Sequence, residues 1–143
     1  MRLYATLTFV AFILHLVWER SHIVLYTGYE AMEGALPVYL LATLGDVAYT
    51  LGAVLFVSFF TGCLTWFIRV RPQSYFGLAF MGLAIALFVE FKAMALGRWA
   101  YTDAMPMIGL VGLSPLIQMT ALLPLSVFIA SLVERRLQGT LRP

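Results

Sequence analysis

A chain of 143 residues with 62% hydrophobic side chains, 11% charged ones and a mean hydropathy of +0.93 carries more apolar surface than a single water-soluble domain can bury. A formal charge of +2, with no Lys/Arg cluster beside a stacking platform, excludes nucleic acid as a partner. A lone cysteine, Cys63, excludes an intrachain disulfide and a thiolate metal cluster. What remains is an all-α integral membrane protein, one domain over 1–143, with four spans of roughly 20 apolar residues each.

The first span covers about residues 3–22. It ends in Trp18-Glu19-Arg20 and lacks the small-residue pattern of a signal-peptidase site, so it reads as a retained helix. The next apolar stretch starts at Leu36 and is too long for one straight helix. Residues 34–43 therefore read as an interfacial lead-in after Pro37, and the second span as about 44–68, closed by Arg69, Arg71 and Pro72. The third span covers about 75–96 and stops at Gly97-Arg98. Pro106 opens the fourth, about 107–133, and Pro115 and Pro124 are expected to kink it. Two sets of small residues, Gly45, Ala48 and Gly52 with Gly77, Ala79 and Gly82, are expected to bring helices two and three close together.

Four crossings place Arg2, Arg69, Arg71, Arg135, Arg136 and Arg142 on one side. The other side receives Arg20, Arg98 and Lys92, near Glu30, Glu33 and Asp103. The positive-inside rule then puts both termini in the cytoplasm. Trp66 and Tyr75 mark the inner boundary; Tyr26, Tyr29, Tyr39, Trp99 and Tyr101 mark the outer one.

With that orientation the polar residues collect in the outer half. His15 and Glu19 are four apart on one helical face, which His22 extends. Asp46 opens the second helix, with Tyr49 and Thr50 a turn along. Glu90 and Lys92 lie late in the third, and Ser114 and Gln118 early in the fourth. The inner halves offer little beyond the hydroxyls of Ser58 and Thr61. An ionisable group at a helix centre costs about 2.5–3.5 kcal/mol to insert, so such groups turn toward an interior or a wet cavity. Snorkelling or a structural ion pair among Glu19, Lys92 and Asp46 is the plainer alternative. A shared outer pocket of His15, Glu19, Asp46, Glu90 and Gln118 is the sharper one.

The chemistry on offer is acid–base, with His15, Glu19, Asp46 and Glu90 moving protons. Gln118, Tyr49, Trp18, Arg98 and Trp99 would contact the substrate. His15, Glu19 and His22 at i, i+4 and i+7 also permit a metal reading, although the spacing is not that of a zinc site, and no cofactor is expected. No Gly-x-Ser-x-Gly, P-loop, dinucleotide fingerprint or CxxC occurs. Arg98 beside Trp99 and Tyr101 is either an ordinary interfacial turn or a lipid-phosphate contact.

His15-Leu16-Val17-Trp18-Glu19, followed by Val24-Leu25-Tyr26, resembles the first core helix of the emopamil-binding-protein family and the wider EXPERA superfamily. Those proteins are four-helix membrane folds that include sterol isomerases and sterol- or drug-binding relatives. The resemblance maps the family's histidine and glutamate onto His15 and Glu19, a Leu-Gly-Asp onto Leu44-Gly45-Asp46, and a last-helix amide onto Gln118, ahead of Pro124. The chain departs from the family at Ala121, where an aromatic residue is usual, and in residues 51–68, which contain no acid. Trp18-Glu19, Gly45-Asp46, Glu90, Gly97-Arg98-Trp99-x-Tyr101 and Met105-Pro106 are also similar to small bacterial four-helix membrane proteins, which implies a bacterial inner membrane. Two functions follow as expectations. One is an intramembrane isomerase or hydratase acting on a lipid or on an isoprenoid- or sterol-like molecule. The other is a non-catalytic lipid-binding or accessory subunit, as a homo-oligomer or within a larger membrane complex.

Overall fold

A computed structural model describes residues 2–28 and 36–140. Tyr29, Glu30, Glu33 and Arg142, used above for the belt and the charge bias, lie outside the described residues. Four long helices dominate: α1 (Arg2–His22), α2 (Val38–Thr61), α3 (Pro72–Ala95) and α4 (Leu113–Thr140). All four are long and apolar enough to cross a membrane. At 1.5 Å per residue, even the shortest reaches about 30 Å, the thickness of a hydrocarbon core. Among the described residues there are also four two-residue strands: β1 (Tyr26–Thr27) pairs antiparallel with β2 (Ala100–Tyr101), and β3 (Met107–Ile108) with β4 (Val111–Gly112).

The helix boundaries differ from the sequence expectation, and the causes are local. Pro37 caps α2 with φ −57° and ψ 142°, so residues 38–43, expected as a lead-in, are its first turns. Gly62 turns left-handed at φ 63° and sends the Cys63 N–H back to the Ser58 carbonyl, which ends α2 at Thr61. The remainder of the expected second span is a turn and a short 3-10 segment, Trp66–Arg69. Pro72 opens α3 at its first turn, where its missing N–H costs no hydrogen bond. Residues 107–112, expected in the fourth span, form the β3–β4 hairpin around Gly109 (φ 61°), and α4 starts only at Leu113. Pro115 therefore falls in the first turn of α4 and breaks nothing, leaving Pro124 as the one proline inside that helix.

Packing centres on α4, which lies against both α3 and α1, while α1 also packs on α2. Helices α2 and α3 scarcely touch, contrary to the expectation from their small residues. A Cβ built on Gly45, Gly52 or Gly77 meets nothing within 4 Å. Gly82 is the exception, and its neighbour is α4: a Cβ there would collide with the Met119 carbonyl oxygen.

The middle of the bundle is apolar. Leu7, Ala11, Val54, Leu123 and Val127 are fully buried. Phe9, Phe59, Phe60, Phe76 and Phe80 point outward and are more than two-thirds exposed, a surface suited to acyl chains and costly in water. Below this plug, at the end holding Arg2, lies a polar cluster where only hydroxyls were expected. Arg2 pairs with Glu134 at 3.0 Å, and Thr6 Oγ1 donates to the other Glu134 oxygen at 2.8 Å. Tyr4 OH bonds Ser58 Oγ at 3.1 Å and the Leu64 carbonyl at 3.0 Å, and Trp66 Nε1 donates to the same Ser58 at 3.1 Å.

Candidate functional site

The buried residues of α1 form one stripe: Leu3, Leu7, Ala11, His15, Glu19 and His22. Helical periodicity fixes the stripe, and its composition changes halfway, from apolar to ionisable. Glu19 and the two histidines of α1 thus reach the bundle interior because they continue the face that packs α1 onto α2 and α4.

Gln118 on α4 stands at the centre of what they meet. Its Nε2 lies 2.8 Å from Glu19 Oε1, 2.6 Å from Asp46 Oδ2 and 3.3 Å from His15 Nδ1. An amide nitrogen has two hydrogens, and the two shortest contacts take them, so Glu19 and Asp46 accept. His15 Nδ1 then carries its own hydrogen toward Asp46 Oδ2 at 3.4 Å, while Nε2 accepts from the Thr50 hydroxyl at 3.3 Å. Donor counting assigns this tautomer. His22 Nε2 lies 3.8 Å from the same Glu19 oxygen that Gln118 contacts.

A third acid faces the same space from α3. Glu90 Oε2 accepts from Tyr101 OH and, at 3.3 Å, from Trp99 Nε1. Both donors come from the chain beyond α3, which reverses at Gly97 (φ 60°). The N–H groups of Gly97 and Arg98 return to the carbonyls of Met94 and Ala93, the paired bonds of a Schellman motif. Pairing of β1 with β2 then sets Tyr101 opposite Tyr26, and the Thr102 N–H reaches the Leu25 carbonyl at 3.0 Å. Burial, followed by the hydrogen bond to Glu90, holds the Tyr101 phenol above its usual range, which keeps it a donor.

A cavity of about 260 Å³ lies in the gap between α2 and α3. Its walls are largely apolar, with Leu41, Ile85 and Val89 among them, and Gly45 leaves its α2 side open. Glu19, Asp46, Glu90 and Gln118 line its polar part, and Tyr49, Arg98 and Trp99 also reach it. Eight of the nine sequence-derived site residues are thereby gathered, counting His15, which stands directly behind Gln118. Trp18 is the exception. One residue before Glu19, it is turned about 100° off the buried stripe and instead packs its edge on His22 at 6.2 Å. Lys92 is exposed beside the Phe88 ring, not paired with Glu90.

Two wall residues, His22 and Tyr26, were read only as a metal candidate and a belt aromatic. Tyr101, also read as a belt residue, holds Glu90. His22 was signalled by its place on the His15–Glu19 face, and Tyr26 and Tyr101 meet through the β1–β2 pairing that follows the turn at Gly97. Among the described residues no three His, Cys, Asp or Glu side chains converge as metal ligands. In donor terms, His15 is engaged by Asp46 and Thr50, and His22 Nε2 stands 3.8 Å from Glu19.

Chemically, the arrangement offers two carboxyl groups bridged by one amide, a histidine able to relay a proton to one of them, and an apolar space beside all three. No protein-family model, characterised protein or solved structure matches this chain.

Proposed function

We propose that this protein is an integral membrane enzyme that moves protons on a lipid or an isoprenoid- or sterol-like molecule, as an isomerase does. The observation that carries the reading is the convergence of Glu19 and Asp46 on Gln118 beside a cavity with largely apolar walls. The substrate's hydrocarbon enters sideways between α2 and α3, the least packed of the neighbouring pairs around the bundle. One carboxyl group adds a proton to a double bond; the other removes one from a neighbouring carbon. Each turnover leaves one carboxyl group short of a proton and the other with one extra, and exchange of both with water at the cavity mouth restores the starting state. Gln118 holds the two carboxyl groups at fixed separation and steadies developing charge. In the membrane both termini face the cytoplasm, which places this site in the outer half and the Arg2–Glu134 pair in the inner half. The EXPERA resemblance at His15, Glu19, Asp46 and Gln118 agrees with this reading.

The test is mass spectrometry of lipid extracted with the purified protein, before and after incubation in D2O. A defined isoprenoid or sterol-like species that gains deuterium with the wild type, but not with Glu19→Gln, is the expected result. A bound species that never gains deuterium would leave a lipid-binding module. No bound species at all would leave an accessory subunit.

A further inference from the structure

We infer that Arg98 forms an anion subsite at the rim of the α2–α3 cavity, and that the ligand is an amphiphile with a phosphate-type headgroup. This rests on the reading of the cavity as a ligand site and goes further by naming the head of the ligand.

Among the described residues Arg98 is the one Lys or Arg on the cavity wall. It shares that wall with Glu19, Asp46 and Glu90, yet forms an ion pair with none of them. An arginine beside three acids would ordinarily fold onto one of them. Here each acid has other partners: Gln118 donates to Glu19 and Asp46, and Tyr101 and Trp99 donate to Glu90. Among the described residues none of these acids takes up the guanidinium's five donors.

The backbone under Arg98 is fixed twice over, by its own N–H bond to the Ala93 carbonyl at 3.0 Å and by the β1–β2 pairing that begins at Ala100. The position is therefore set in advance, which lowers the cost of binding. The negative end of the α3 dipole alone accounts for a basic residue here. It does not account for a side chain on the cavity wall, where the guanidinium fork suits the oxygens of a phosphate. The neighbouring walls are hydrocarbon, so the anion comes with an apolar tail.

Arg98 is exposed and its backbone bonds do not depend on the side chain, so Arg98→Gln will fold. Binding of farnesyl phosphate, farnesol and inorganic phosphate to the full chain in nanodiscs tests the inference. Wild type should prefer the phosphate ester to the alcohol by roughly ten- to hundred-fold, the range of a charge-assisted contact. Arg98→Gln should erase that preference by weakening the phosphate ester alone, and Arg98→Lys should keep part of it. Inorganic phosphate that binds unaided through Arg98 would keep the anion subsite and overturn the amphiphile. An unchanged ester-to-alcohol ratio in Arg98→Gln would overturn the subsite, and so would a wild type that binds neither farnesyl compound. Gly45→Phe, which fills the cavity, separates the two readings: loss of both farnesyl compounds upholds the cavity whatever Arg98 does.

Discussion

The amide nitrogen of Gln118 on α4 lies 2.6 Å from a carboxylate oxygen of Asp46 on α2, joining two helices that have scarcely any backbone contact of their own. Most of the remaining packing of α2 is on α1. This hydrogen bond therefore has a structural duty beside its place in the site. Gln118→Leu should cost about 1–3 kcal/mol, the price of leaving buried acceptors unpaired. It should also free the top of α2. Thermal unfolding in detergent reads the first effect, and labelling of Gly45→Cys in a Cys63→Ser background reads the second. Unchanged values on both would mean that α2 is held by other means.

Glycines that look alike in the sequence should behave differently. Gly82→Ala drives a methyl group into the Met119 carbonyl, and overpacking of this kind costs about 1–3 kcal/mol. Gly52→Ala meets open space and should be neutral, or stabilising by about 0.5–1 kcal/mol from helix propensity. Paired melting curves of the two variants decide the point, and equal effects would refute the contact between α3 and α4.

The pair at the other end of the bundle should prove modest. Glu134 is buried, but the Arg2 side chain is 54% exposed, so solvent screens the attraction. Arg2→Ala should cost no more than about 1 kcal/mol. Glu134→Leu should cost less than breaking the pair from the arginine side if Thr6 turns its hydroxyl back to the Arg2 carbonyl, 3.1 Å away. A double-mutant cycle measures the coupling between Arg2 and Glu134.

Tyr101 carries a pH signature. Its phenol is held above the usual range in the folded protein, so the stability it contributes is fully present below the ordinary tyrosine pKa of about 10. That stability drains away as pH rises from there toward the folded value. Wild type should lose its advantage over Tyr101→Phe only in strongly alkaline solution, with the gap constant near neutrality. Chemical denaturation across that range reads it, and a gap that closes below pH 9 would assign the effect to another group.

Orientation is the fifth expectation. In a Cys63→Ser background, Val70→Cys should react with a membrane-impermeant thiol reagent only after the cytoplasmic side is opened, and Asp103→Cys should react in intact cells. The reverse pattern would invert the topology and move the site to the inner half.

Four helices were legible from hydropathy, and the depth of the polar residues from counting along each span. Depth alone placed Glu19, Asp46, Glu90 and Gln118 together because each falls in the same half of its helix. Rotation was legible only in part. The i, i+4 repeat showed that His15 and Glu19 share a face, but nothing fixed Trp18 outside the site until the packing of α1 was known. The partner of α3 was illegible, since small residues announce a close approach without saying to which neighbour. Glu134 was missed because it precedes Arg135 and Arg136 and reads as part of a solvated end. The residues that clasp Glu90 come from a loop, whose return path depends on a left-handed glycine and a two-residue strand.

The apolar plug of Leu7, Ala11, Val54 and Leu123 has an electrical consequence. Two buried hydroxyls beside it, Ser58 and Ser126, donate to carbonyls of their own helices. In the reaction proposed above, the protons that Glu19 and Asp46 exchange enter and leave by one face only. Turnover then moves no net charge through the bilayer and does no work against the membrane voltage, so its rate should be the same in energised and depolarised vesicles.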